Sequence, residues 1–250
     1  MLQMLKQKNL QRVKYMPSIG EYSTGEPLLF DPENFGNWLI AGMQGSGKSS
    51  YVNSLLNQLQ YYNYKIFGVD CKNGLELLPW SETLETVATN RNEAIDTISD
   101  VQDIMQQRLD HLRMNMLRKW PHKDRVVLIV DELAEVLSTD HSLPDKQAKQ
   151  EAKQRLDGLT NIARLGRASG VHIVCATQHP LANIVGSELK ANLNIRVCCR
   201  VGSQETFKMV LGDSYNLDYE TIHYPGTGYV LGLKDALFQP RIAKAYWTET

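Results

Sequence analysis

The chain has 250 residues, 42% of them hydrophobic, with 27 Lys and Arg against 28 Asp and Glu and a net charge of −1. That length and apolar content fit one sizeable α/β domain and exclude a disordered or fibrous protein. The balanced charge excludes a passive basic coat for nucleic acid, so any contact with a polyanion has to come from a local patch.

Residues 1–15 are basic and Gln-rich without an apolar stretch, and nothing in them reads as a signal peptide. Lys6, Lys8, Arg12 and Lys14, with no acid in the first twenty residues, mark 1–24 as a basic arm or a solvated terminal segment ahead of a domain spanning 25–250. Turn signals at Gly20, Gly25, Pro27 and Pro32 precede a buried strand at 37–41, glycine-rich sequence and a helix over 50–61. A strand at 65–70 and a short one at 85–89 lead to a long helix. Its apolar positions Ile95, Ile98, Val101, Met105, Leu109, Leu112 and Met116 recur at three and four, and Pro121 ends it. Residues 126–130 form an unbroken aliphatic run, as a strand covered on both faces requires, and 172–177 and 195–201 repeat the type. Between them, 138–153 is polar and lysine-rich and reads as a long surface loop leading into a helix that runs to about residue 168. Residues 226–233 and 238–245 flank a Lys-Asp-Ala turn and read as an antiparallel hairpin closing the sheet edge.

Alternating strands and helices imply an α/β fold with a mainly parallel central sheet flanked by helices. The longest apolar run falls far short of the roughly 20 residues a membrane span needs, so a soluble, cytoplasmic chain with no direct membrane insertion is expected. Cys71, Cys175, Cys198 and Cys199 show no C-x-x-C spacing and sit in or beside apolar runs, as reduced core residues do.

The chemistry concentrates behind the first buried strand. Gly42-Met43-Gln44-Gly45-Ser46-Gly47-Lys48-Ser49 fits G-x-x-x-x-G-K-[ST] between a strand and a helix, with Ser50 next along. Glycines let successive N–H groups face phosphates, the helix N-terminus favours negative charge, Lys48 reaches the β and γ phosphates, and the Ser49 hydroxyl ligates Mg²⁺. ATP and Mg²⁺ are therefore the expected cofactors. Asp131 emerges at the C-terminal end of the aliphatic strand, where open α/β sheets bind ligands, and is the second metal candidate. Glu132 is placed to orient or deprotonate the attacking water. Gln178, ending the next strand, either senses the γ-phosphate or is a buried amide satisfied by backbone. Asp70 and Lys72 close another strand, near the nucleotide or paired to each other. Arg164 and Arg167 either cap the last helical carbonyls or serve a neighbouring subunit's ATP as an arginine finger. Lys146, Lys149 and Lys153 lie on or beside the polar loop after the acidic pair, where a solvated face is the common fate of lysines.

These residues resemble the FtsK/SpoIIIE-type motor ATPases of the FtsK–HerA superfamily. The resemblance spans roughly residues 25–246. It rests on Ile129-Val-Asp-Glu-Leu-Ala134, on Gly166-Arg-Ala-Ser-Gly-Val-His-Ile173 with Ala176-Thr-Gln178, on Leu189-Lys-Ala-Asn192 with Arg196, and on Pro225-Gly226 with Gly228-Tyr229. The Asp70-Cys71-Lys72 strand end is similar to the family's Asp-x-Lys. The resemblance implies a RecA-like P-loop fold, a hexameric ring of identical subunits with ATP at their interfaces, double-stranded DNA in the pore, and Arg167 as the trans-acting arginine with Arg164 in reserve. His179 stands where arginine is common, and Thr206-Phe207-Lys208 replaces a usual Ser-Arg pair. His179 and Lys190 join the three lysines as candidate DNA contacts. The expected function is a DNA translocase motor of a plasmid, phage or integrative element, as in conjugation, with a replication initiator or relaxase as possible partner. The competing readings are a type VII protein-secretion motor and an ATP-switched adaptor.

Overall fold

The computed structural model describes residues 16–180 and 185–248. The basic cluster at Lys6, Lys8, Arg12 and Lys14 lies outside these described residues. The strands are β1 (Ser18–Tyr22), β2 (Pro27–Leu29), β3 (Trp38–Ala41), β4 (Tyr64–Asp70), β5 (Thr86–Ala88), β6 (Arg125–Asp131), β7 (Val171–Thr177), β8 (Ile195–Cys198), β9 (Thr227–Leu231) and β10 (Arg241–Ala245). The helices are α1 (Lys48–Leu59), α2 (Arg91–Met114), α3 (Leu133–Leu137), α4 (Asp145–Ser169), α5 (Ser187–Asn192) and α6 (Gln204–Leu211). All ten strands form one sheet in the order β2-β1-β10-β9-β8-β3-β7-β6-β4-β5. From β8 to β5 the pairings are parallel, and from β8 to β2 they are antiparallel.

The pleat sends alternate residues to two cores. Leu39, Val69, Leu128 and Val130 point to the face covered by α2, α3 and α4, whereas Trp38, Ile40, Val127 and Ile129 point to the face covered by α1. The phosphate-loop helix α1 and the lysine-bearing helix α4 therefore lie on opposite faces. Asn37 ties the layers at the start of β3. Its Nδ2 donates to the Ala163 carbonyl at 2.8 Å and the Asn192 carbonyl at 3.2 Å, and its Oδ1 accepts from the Ile173 N–H.

Several expectations change in detail. The long helix stops at Met114, because Met116 takes a left-handed conformation (φ 53°) and is solvent-exposed. The Met116 N–H bonds the Arg113 carbonyl and the Leu117 N–H the Leu112 carbonyl, a Schellman ending that the three-four periodicity does not foresee. Residues 145–153, expected in a surface loop, are the first turns of α4. They read as loop because, of 145–150, only Ala148 is buried. The β9–β10 hairpin forms, but it sits inside the sheet and not at its edge. β1 and β2, too short and turn-rich to stand out, occupy that edge, and their Ile19 and Leu28 are fully buried. The last residues of the segment read as an arm thus belong to the sheet. All four thiols are free, and three are buried. No described helix is long and apolar enough to cross a membrane.

His172, at the start of β7, is almost fully buried against Phe35, with Nδ1 lacking a hydrogen-bond partner. Burial, reinforced by the positive charges of Arg125 and Arg167, pushes its pKa down to about 4 from 6.5. The folded form thus stays neutral where the unfolded chain binds a proton, so this contribution is complete above pH 6.5 and is lost as pH falls towards 4. Over that window about 3 kcal/mol disappears. In urea unfolding at pH 7 and pH 4.5, His172→Phe should lose less stability than the wild type on acidification. Equal losses would contradict the assignment.

Candidate functional site

The parallel strands deliver their C-terminal ends to one edge. Gly42 follows β3, Asp70 closes β4, Asp131 closes β6 in register with Asp70, Thr177 closes β7, and Cys199 and Arg200 follow β8. The loop after β3 is pinned on both sides: the Gly42 N–H donates to the Thr177 carbonyl at 3.2 Å and the Met43 N–H to the Arg200 carbonyl at 2.9 Å. A Cβ on Gly42 would lie 2.7 Å from the Cys199 Cβ, so only glycine fits there. Gly45 and Gly47 have φ of 70° and 89°, the left-handed region that glycine alone enters readily. The Gly226 N–H supports the loop from below by donating to the Ser46 carbonyl at 2.9 Å.

What the loop presents is suited to polyphosphate. Met43, Gln44 and Gly45 are exposed, while Lys48, Ser49 and Ser50 form the first turn of α1, which contains no acid. The Ser46 hydroxyl is buried without a hydrogen-bond partner. Lys48 is largely buried, and its Nζ folds back to the Met43 carbonyl at 3.2 Å. Burial lowers the Lys48 pKa, with Glu132 and Asp131 opposing from nearby. A buried cation short of a full counter-charge, an orphan hydroxyl and a helix N-terminus together fit the phosphates of a nucleotide.

Across from the lysine stands the acidic pair. Asp131 is 8% exposed, and burial, followed by the charge of neighbouring Asp70, pushes its carboxyl up to about 7, with Lys72 partly offsetting this. A divalent cation beside it would restore the ionised form. Glu132 adopts a left-handed backbone (φ 50°, ψ 69°), unusual for a residue with a side chain. That turn brings its carboxylate back over the strand ends. Oε1 accepts from the Thr177 hydroxyl at 3.1 Å and the Gln178 N–H at 3.0 Å, and Oε2 pairs with Lys72 Nζ at 3.2 Å.

This arrangement resolves the question left open at Asp70 and Lys72. The Asp70 side chain accepts from the N–H groups of Lys72, Glu76 and Leu77, a turn-forming role that leaves the Lys72 ammonium free to reach Glu132. Gln178 contributes its backbone N–H to Glu132. Thr177 and Arg200 are site residues that the sequence pattern passed over, and Thr177 could have been found as the hydroxyl at the same strand end as Gln178.

The remaining candidates lie elsewhere. Arg167 lines a cavity with Asn37, Arg125, Gly170 and His172 at the N-terminal edge of the parallel strands. Seven-residue β7, roughly 20 Å long, separates it from its own phosphate loop. Arg164 is exposed, 3.0 Å from Asn161 and 3.8 Å from Glu188. Lys146, Lys149 and Lys153 are exposed on α4, and Lys149 pairs with Asp145 at 2.7 Å. With 25 residues α4 is about 37 Å long, so its first turns project past the C-terminal sheet edge. His179 is exposed just beyond Thr177, whose hydroxyl accepts its N–H. Lys190 is half-buried on α5, where burial and the charge of Arg196 lower its pKa.

The profile of the FtsK/SpoIIIE family matches residues 2–124. DNA translocase FtsK of Helicobacter pylori strain J99 is 27% identical over 245 residues, covering 89% of this chain and 26% of the relative. DNA translocase SpoIIIE of Bacillus subtilis strain 168 is 26% identical over 256 residues, 91% of this chain and 29% of its own length. The chain is thus similar to the FtsK/SpoIIIE translocases along about nine-tenths of its length. It spans little more than a quarter of these relatives' length. Among solved structures, the pCW3 conjugation coupling protein TcpA with ATPγS shares the RecA-like fold (TM-score 0.81, 22% identity, 96% of this chain and 68% of that one). The cytoplasmic domain of the Thermomonospora curvata type VII secretion ATPase EccC has a TM-score of 0.69 and 25% identity, covering 92% of this chain and 28% of its own. Both the FtsK/SpoIIIE relationship and the RecA-like fold agree with the reading of the sequence, and ATP is the nucleotide expected of such a P-loop.

The loop geometry carries a direct test. A Cβ on Gly47 would lie 1.9 Å from the Gly226 nitrogen at a φ that side chains avoid. Gly47→Ala should therefore lower stability by about 1–3 kcal/mol in denaturant unfolding. Unchanged stability would show that the 225–226 segment does not bear on the loop.

Proposed function

We propose that the chain is the motor segment of an ATP-driven double-stranded DNA translocase, working as a soluble ring, up to a hexamer, for a plasmid, phage or integrative element. The observation that carries the DNA assignment is that relatives named DNA translocases align along nine-tenths of this chain, phosphate loop and acidic pair included. In this reading Gly42 to Ser50 cradle the phosphates and Lys48 balances their charge. Ser49 and Asp131 hold Mg²⁺, which neutralises charge on the phosphates when bound.

Glu132 positions and deprotonates water. Thr177 and Gln178 hold Oε1 in this structure, while Oε2 accepts only from Lys72 and keeps a lone pair for water. Arg167 cannot serve its own loop across the sheet and acts on the ATP of a neighbouring copy. The lysines of α4 and His179, all at the ATP edge, meet DNA phosphates without reading bases. Lys190 is the weakest of these contacts because burial disfavours its charged form. A replication initiator or relaxase would deliver the DNA. The secretion-motor reading is favoured by one observation, the 25% identity to the EccC domain over 92% of the chain. The response to DNA separates the two.

Lys48→Ala should weaken ATP binding about 10- to 100-fold. Glu132→Gln should keep binding within a few-fold and lower turnover about 10²- to 10⁴-fold, because only the water loses its base. Calorimetric titration and steady-state hydrolysis measure both, and equal affinity losses in the two variants would contradict these roles.

Duplex DNA should stimulate hydrolysis, and the stimulation should fade as salt rises. Changing Lys146, Lys149 and Lys153 together to alanine should weaken binding to every sequence alike and flatten the logarithmic salt slope by up to about 3. ATP binding should persist, since α4 and α1 lie on opposite faces. A wild-type ATPase indifferent to duplex at every salt concentration would shift the assignment to the secretion motor.

A further inference from the structure

The projecting end of α4 is fastened to the rest of the molecule at few points. Of residues 145–155 only Ala148 and Arg155 are buried, so a pull on the turns that carry Lys146, Lys149 and Lys153 is met at these two side chains. Ala148 offers a methyl group, whereas Arg155 offers directed bonds.

Arg155 is 1% exposed. Its Nε donates to the Val136 carbonyl at 2.7 Å and its Nη2 to the Ser138 carbonyl at 2.9 Å, while Nη1 has no hydrogen-bond partner. Burial lowers its pKa. A buried guanidinium bonded to neutral carbonyls gives up its hydration for little net stability, and an apolar side chain of similar volume would serve the fold as well. What the arginine secures is the C-terminal end of α3.

That helix has five residues, is about 7 Å long and starts from Glu132. Its Leu133 and Val136 are fully buried, and a close-packed turn of this kind passes a displacement from one end to the other. From the other side α3 is held by α2. Arg91, the first residue of α2, pairs with Glu135 and donates from Nε to the Ser138 hydroxyl at 3.1 Å, and that hydroxyl donates to the Glu135 carbonyl at 2.8 Å. Two arginines therefore grip one end of α3, one from α2 and one from the projecting helix. The other end carries the carboxylate that activates water.

We propose that Arg155 is a positioning residue for hydrolysis: duplex DNA on the lysines of α4 seats Glu132 through the grip of Arg155 on α3. The proposal rests on the DNA reading of those lysines given above. Lys146, the farthest of them, lies within about 14 Å of Arg155 along the helix axis. Glu132 is aimed by bonds of 3.0 and 3.1 Å, and a misplacement of about 1 Å at a catalytic group costs up to roughly 10²-fold in rate.

The test measures steady-state hydrolysis with and without duplex DNA, and duplex binding by fluorescence anisotropy. It compares wild type, Arg155→Met, Arg155→Lys and the variant with Lys146, Lys149 and Lys153 changed to alanine. Arg155→Met keeps the bulk and loses the donors. It should bind ATP and duplex as tightly as wild type, with KM unchanged, while kcat with DNA falls to its DNA-free value, a stimulation factor of about 1. Arg155→Lys, able to reach one carbonyl at a time, should keep an intermediate factor. A merely structural arginine would lower the melting temperature of Arg155→Met and leave the factor at the wild-type value, which would overturn the proposal. Should Arg155→Met fail to melt cooperatively, Arg155→Lys decides, and a wild-type factor in that variant overturns the proposal equally. Failure of the DNA reading has a separate signature: the triple lysine variant would then respond to duplex as wild type does, and the link to Arg155 would fall with it.

Discussion

The whole site hangs on one close approach, the packing of Gly47 against the backbone of Gly226, with the Gly226 N–H donating to the Ser46 carbonyl. The phosphate loop cannot hold itself in shape. Within it a single turn bond, from the Ser46 N–H to the Met43 carbonyl, spans the loop. Its rigidity comes from neighbours: the Thr177 and Arg200 carbonyls fix its entry, and the segment before β9 fixes its exit. This explains why the chain needs a C-terminal hairpin inserted between β8 and β1. The Ala245 N–H of β10 donates to the Gly226 carbonyl, so the hairpin that extends the sheet also holds the residue beneath the loop.

Charge balance around the loop follows from the same confinement. Lys48, Asp70, Asp131 and Glu132 are all buried or nearly so at one sheet edge, with Lys72 half-buried beside them. Asp70 is satisfied by three N–H groups and Glu132 by three donors, whereas Asp131 remains short of a cation and Lys48 short of an anion. The two unsatisfied groups are the two that a magnesium-bound triphosphate would complete. The groups already satisfied shape the site, and those left wanting define its ligand.

Much of this was legible in the sequence because the signals are local. The glycine pattern of 42–49, the aliphatic run ending at Asp131 and the strand ending at Gln178 each specify backbone and chemistry within a few residues. The partners of Glu132 were less so. Thr177 and Lys72 come from β7 and from the end of β4, and only the sheet order and the left-handed turn at Glu132 bring them together. Strands β1 and β2 escaped notice because three to five residues between turns carry no clear period, and α4 began late in the reading because its exposed first turns look like loop. In both cases the deciding contacts are distant, with β1 paired to β10 some 220 residues away.

The division of the sheet into two functional edges bears on assembly. The C-terminal edge gathers the phosphate loop and the acids, while the N-terminal edge gathers Arg167, Arg125 and Lys119 around the cavity that His172 lines. Arg125 and Arg167 are close enough to His172 to disfavour its protonation. A single chain cannot bring these cations to its own nucleotide, because the strands that position both sites also hold them apart. Under the proposed function, the sheet leaves each subunit's catalytic constellation incomplete, and a second copy docked edge to edge would complete it. Hydrolysis would then depend on the arrangement of neighbours, as a ring that moves a polymer by coordinated steps requires.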